Sequence, residues 1–122
     1  MSWELSSERP IYAQIIEKVM IDIVSGHYQP GEKLPSVRDL ASEAAVNPNT
    51  MQKALSELER SGLVYSQRTS GRFITEDYTM IENAKKELAH TQIEEFMKKM
   101  NQLGLSKEET ITLIQNSKEG DS

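Results

Sequence analysis

Cysteine is absent from the 122 residues, so no disulfide framework, thiolate metal site or thiol nucleophile is available, which fits a reducing cytoplasm. No apolar run approaches a membrane span, and the first residues lack the pattern of a secretory signal. The two histidines, His27 and His90, have no ligand-spaced partners, and no glycine-rich phosphate loop occurs. The acidic pairs Glu94-Glu95 and Glu108-Glu109 read as solvated helix faces. Metal, thiol and nucleotide chemistry are thereby left without residues to carry them. A cytoplasmic protein that is not an enzyme and needs no cofactor is the expectation.

Positive charge is also scarce, at a net charge of -5, but it is unevenly spread. Residues 33 to 72 hold six Lys or Arg against four Asp or Glu, whereas residues 77 to 122 hold six against nine. A mildly basic centre on an acidic body predicts weak non-specific affinity for nucleic acid and a need for cooperating half-sites. With 37% apolar and 27% charged residues the chain is an ordinary globular one, long enough for one core-forming domain and an appendage.

Residues 36 to 60, SVRDLASEAAVNPNTMQKALSELER, carry two amphipathic helices joined by a tight Ala45-Val46-Asn47 corner. Ser36 with Asp39 three residues on is a reciprocal capping pattern, and Val37, Leu40, Ala41 and Ala44 make the buried stripe. In the second helix Asn47 caps, Pro48 takes the first position, and Met51, Ala54, Leu55 and Leu58 repeat at three and four. Gly62 ends it. Small residues at 41, 44, 45 and 54 let the helices cross closely, as a helix-turn-helix requires; an ordinary helical hairpin is the plainer alternative.

The outward face of that second helix presents Asn49, Thr50, Gln52, Lys53 and Ser56 with no acid before Glu57. Asn and Gln can bond adenine bidentately, Lys can donate to guanine, and Thr can touch the thymine methyl. A merely solvated face would normally mix in Glu or Asp. After Gly62, LVYSQ and RFIT flank the turn Arg68-Thr69-Ser70-Gly71 as two short strands, a wing in which Val64, Phe73 and Ile74 pack on the helices. Arg68 and Arg72 are placed to approach phosphates or a minor groove, and Arg38 either meets the same backbone or pairs with Asp39 or Glu43.

Upstream, Pro10 opens a helix with Ile11, Ile15, Val19 and Ile23 on one stripe and Tyr12, Ile16 and Met20 beside it, ended by Gly26. Pro30-Gly31 turns the chain into a short extended Lys33-Leu34 that can pair with the wing. Trp3 is expected on the domain edge or against a partner subunit.

From Asp77 a single long amphipathic helix is expected, up to about 26 residues or roughly 40 Å. Its apolar face is Ile81, Ala84, Leu88, Ile93, Phe96, Met97, Met100 and Leu103. Gly104 breaks it, Ser106 with Glu109 forms a second capping box, and Ile111, Leu113 and Ile114 supply a short return helix. About 46 residues cannot bury a core of their own, so this face is read as a dimer interface formed by those eight residues with Ile111 and Ile114. A coiled coil, a folded-back packing, or an adaptable pocket at Phe96, Met97 and Met100 are the alternatives.

The segments PIYAQI, SGHYQPGEKLPSVRDLA, VNPNTMQKALSELERSGLVYS and SGRFI together resemble the DNA-binding domain of the GntR family of bacterial transcription regulators, over about residues 9 to 75. The PIYAQI opening and short tail are similar to its YtrA-like branch, which implies a homodimeric regulator, usually a repressor. By this resemblance the DNA contacts fall on Ser36 and Arg38, on Asn47, Asn49, Thr50, Gln52 and Lys53, and on Arg68, Ser70 and Gly71. The chain departs from the family's pattern where relatives carry arginine at the recognition-helix tip, here Pro48 or Gln52. It departs again in the wing, where Thr69 and Arg72 replace a glycine and a threonine.

The expected fold is therefore mainly α with a small β-wing: a winged helix-turn-helix in residues 1–76 followed by a C-terminal two-helix dimerisation region in 77–122. The expected partners are double-stranded operator DNA and a second copy of the chain, with a small-molecule effector as one open route to release. A winged helix used only as a protein-interaction module is the rival reading, favoured by the acidic charge.

Overall fold

The computed structural model describes residues 3–118. Its elements in chain order are α1 (Ile11–Val24), α2 (Val37–Ala44), α3 (Pro48–Ser61), β1 (Val64–Gln67), β2 (Gly71–Ile74), α4 (Tyr78–Gln102) and α5 (Lys107–Asn116). The chain divides into two compact units between Lys85 and Lys86. The first turns of α4 thus belong to the first unit, nine residues beyond the boundary read from the sequence.

In the first unit α3 packs on both α1 and α2. Ile15, Leu40, Met51, Ala54 and Leu55 are completely buried where these helices meet, and each large side chain withdrawn from water stabilises the unit by about 1.5–3 kcal/mol. Every stripe residue named for α1 either lies in this core or packs against it. The corner between α2 and α3 is a Schellman turn: Val46 N–H donates to Ala41 O at 3.0 Å and Ala45 N–H to Ser42 O at 3.2 Å. Ala45 consequently sits in the left-handed region, φ 58°, which is usually left to glycine. Asn47 then caps α3, its Oδ1 accepting from Asn49 N–H at 2.7 Å, with Pro48 following.

β1 and β2 pair antiparallel, Val64 opposite Ile74 and Tyr65 opposite Phe73. Because strand side chains alternate, Val64 and Ile74 enter the core while Tyr65 and Phe73 stack on each other at 5.8 Å on the opposite face. Phe73 was expected against the helices; its neighbour Ile74 occupies that face instead. The extended 32–34 segment adds a short edge, with Leu34 N–H donating to Arg72 O and Ile74 N–H to Glu32 O.

Ahead of α1 the chain is tied down by Gln14, a buried polar residue whose role the sequence did not disclose. Its amide donates to Ser6 O and Arg9 O and accepts from Ser6 N–H. Trp3 packs at the edge of the core and donates its indole N–H to Glu43 at 3.3 Å.

In the second unit, Leu105 N–H donates to Met100 O and Gly104 N–H to Asn101 O, a second Schellman turn with Gly104 at φ 87°. The capping box of α5 is complete: Ser106 Oγ accepts from Glu109 N–H and Glu109 Oε1 from Ser106 N–H.

Candidate nucleic-acid interface

The amino-terminal turns of α3 present Asn49, Gln52, Lys53 and Ser56 exposed and Thr50 half-buried, with no acid in the first turn. This face exists because Met51, Ala54, Leu55 and Leu58 take the opposite side into the core. Two of the residues are already engaged within the protein. Asn47 has given its carbonyl oxygen to the cap, leaving its amide N–H groups for any outside partner. The Lys53 ammonium lies 5.1 Å from the centre of the Tyr12 ring, a cation–π contact that restrains a long side chain before it meets a ligand.

Beside α3, Ser36 Oγ accepts from Asp39 N–H at 3.1 Å. The return bond of the expected capping box is not made, because Asp39 is one methylene shorter than Glu. Arg38 is exposed and makes no ion pair among the described residues; neither Asp39 nor Glu43 takes it up.

Across from α2, the wing turn is closed by Ser70 N–H donating to Gln67 O, and Arg68, Thr69, Ser70 and Gly71 are all exposed. Gly71 is held at φ 111°, where a Cβ would stand 3.0 Å from Lys33 Cε. Between the wing and the start of α2 runs a trough of about 720 Å³, lined by Lys33, Ser36, Asp39, Thr69, Ser70 and Arg72 among others. Lysine, hydroxyls and a helix start on one concave wall are chemistry suited to a phosphate backbone. Lys33, which lines this trough, was not among the residues expected at the site; its signal was a basic side chain on the segment already expected to pair with the wing.

Arg72, expected to approach phosphate, is half-buried, its side chain 18% exposed, and its Nε donates to Glu59 of α3. The same Glu59 oxygen accepts from Ser66 Oγ at 2.6 Å. Hydrogen bonding from the Ser66 hydroxyl, with the Arg72 guanidinium, holds the Glu59 carboxyl below its usual range.

The apolar residues expected on a dimer seam separate into two groups. Ile81 is buried in the first unit's own core and Ala84 packs against it, so these two are already covered within one chain. In the second unit Ile93, Phe96, Leu103, Ile111 and Ile114 are exposed, as is Leu113, while Leu88, Met97 and Met100 are half-buried.

A three-helix core, a helix corner, an exposed acid-free face at the start of the second helix of that corner and a two-stranded wing define a winged helix-turn-helix of the DNA-binding class. The chain matches the model of the bacterial regulatory proteins of the gntR family over residues 11–74. It is 41% identical over 120 residues to the uncharacterized HTH-type transcriptional regulator YhcF of Bacillus subtilis (strain 168), covering 98% of this chain and 99% of that protein. To the HTH-type transcriptional repressor YtrA of the same organism it is 46% identical over 71 residues, 58% of this chain and 55% of YtrA. Among solved structures, a GntR family transcriptional regulator from Listeria monocytogenes superposes with a TM-score of 0.86 at 38% identity, covering 93% of this chain and all of that one. AraR(DBD) in complex with operator ORX1 aligns with a TM-score of 0.56 at 30% identity, over 62% of this chain and 95% of that one. The protein belongs to the GntR family of DNA-binding transcription regulators, a family of regulators rather than enzymes. No described helix is long and apolar enough to cross a membrane.

Proposed function

We propose that the protein is a cytoplasmic repressor that binds a palindromic operator as a homodimer. The observation that carries this reading is the acid-free amino-terminal face of α3, with Asn49, Gln52 and Lys53 exposed beside the trough between α2 and the wing. In the complex, Asn49, Thr50, Gln52 and Lys53 meet base edges in the major groove. Asn47, Ser36, Arg38, Arg68, Ser70 and Gly71 meet the sugar-phosphate backbone and set the register. Arg72 supports the wing and contributes its remaining N–H groups. The existence of a YtrA repressor and of an operator-bound AraR domain among similar proteins supports the reading.

Residues 1–76 are the reading head in this proposal and 77–122 the dimerising tail, whose exposed Phe96, Ile93, Leu103, Ile111 and Ile114 meet a second copy together with Leu88, Met97 and Met100. Two heads then enter successive major grooves about 34 Å apart. Occupying a promoter, the dimer excludes polymerase; a ligand that binds better to a dimer with a different head spacing releases it. Selection of binding duplexes from a random pool tests this directly. The expected winners carry inverted half-sites centred about ten base pairs apart or a multiple of that spacing. Winners with a single unrepeated half-site refute the dimeric part.

A further inference from the structure

Two acids follow the polar face of α3: Glu57, which pairs with Arg60, and Glu59, seven residues beyond Gln52 and three beyond Ser56, which at 3.6 residues per turn places Gln52, Ser56 and Glu59 on one line. A carboxylate on that line repels DNA unless it is neutralised. Here it is held from both strands of the wing at once: Ser66 of β1 and Arg72 of β2 face each other across the hairpin, both donate to the same Glu59 oxygen, and the Arg72 guanidinium offsets its charge. Arg72 uses only its Nε in this bond. Its terminal nitrogens make no hydrogen bond among the described residues, and Arg72 is one of the residues lining the trough that also holds Lys33, Ser36 and Ser70.

We infer that Glu59 is a positioning residue, a clamp that fixes the wing against the recognition helix and aims the free end of the Arg72 guanidinium into the trough. This rests on the DNA-binding reading for its consequence, though not for the clamp itself. The bond with Nε leaves the fork of two terminal nitrogens in the fixed orientation that suits a phosphate. One anionic side chain thereby strengthens binding to a polyanion.

The experiment uses the full chain and its selected operator, with Glu59→Gln, Glu59→Ala, Arg72→Ala and the Glu59→Ala/Arg72→Ala double variant. Operator affinity and its salt dependence are read by fluorescence anisotropy, and wing amide protection in the free protein by hydrogen exchange. Glu59→Ala is expected to weaken binding by about three- to tenfold, the scale of a charged hydrogen bond discounted for partial exposure. Arg72→Ala weakens it at least as much, and the double variant no more than Arg72→Ala alone, because the two residues act as one unit. Glu59→Gln, which keeps an acceptor for Ser66 and Arg72, retains most of the affinity and the fold. Preference among single-base operator changes stays as in the unaltered protein, and wing amides at Ser66 and Arg72 exchange faster in Glu59→Ala.

Tighter binding by Glu59→Ala would overturn the inference, since Glu59 would then be only a repulsive charge. Strictly additive losses, or unchanged wing exchange, would overturn it as well. If the unaltered protein binds no duplex selectively while Glu59→Ala still loosens the wing, the clamp stands and the DNA reading fails.

Discussion

Replacing Gly62 with alanine probes the joint between recognition helix and wing. Gly62 ends α3 at φ 90° and ψ -7°, its N–H donating to Glu59 O. An L-residue there meets left-handed strain of about 1–2 kcal/mol. Restricting the unfolded chain returns about 0.4–1 kcal/mol. A Cβ at this position would also lie 3.1 Å from Met80 Sδ and Cε, so the thioether end of Met80 must move a few tenths of an ångström. That adjustment is small for a flexible side chain. The net expectation is a loss of about 1 kcal/mol, or roughly 4–8 °C in Tm for a unit of this size. Urea unfolding followed by fluorescence of Trp3, the only tryptophan and part of the first unit, measures it. Repeating the substitution in a Met80→Ala background removes the contact and isolates the backbone share. Unchanged or increased stability of Gly62→Ala would refute the argument.

Glycine at position 45 should have the opposite effect. Ala45→Gly relieves the left-handed strain at φ 58° and is expected to stabilise the first unit by about 0.5–1 kcal/mol in the same urea assay. Lys53→Ala is expected to weaken operator binding by about 1–3 kcal/mol with relaxed preference at one base pair; an equal loss on every duplex would make Lys53 a phosphate contact instead. Because folding lowers the Glu59 pKa below its ordinary 4.5, the ionised carboxylate adds stability that is complete above that value and disappears as pH falls through the lowered one. Urea titrations between pH 7 and pH 3 should therefore show an acid-side loss that Glu59→Gln reduces. Substituting Phe96 and Met100 together with Asp is expected to give monomers with poor operator affinity, and sedimentation of an intact dimer would remove the seam from the tail.

What was legible in the sequence was mostly local. Asn47-Pro48, the 3.6-residue stripe of α3 and Gly62 determine that helix within sixteen residues, and Ser106 with Glu109 does the same for the start of α5. The exposed polar face of α3 followed, since whatever a stripe does not bury it presents. The bond from Arg72 to Glu59 was not legible, because it joins residues thirteen apart through a hairpin whose register had first to be known. An arginine in a wing looks the same whether it is free or held. Ile81 and Ala84 show a related ambiguity: an apolar stripe states that something covers it, not which surface does, and the first turns of α4 are covered by the head itself. Phe73 is different. Strand alternation already required it to face away from Ile74, and only the assignment of both to one face was at fault.

The central claim is that this acidic chain reads DNA through the α3 face, and a fluorescence-anisotropy titration against its own promoter region and a scrambled duplex, at two salt concentrations near the physiological value, tests it most directly. Tight binding to the promoter that weakens as salt rises, with much weaker binding to the scrambled duplex, is the predicted result. Equal weak binding to both duplexes would contradict it.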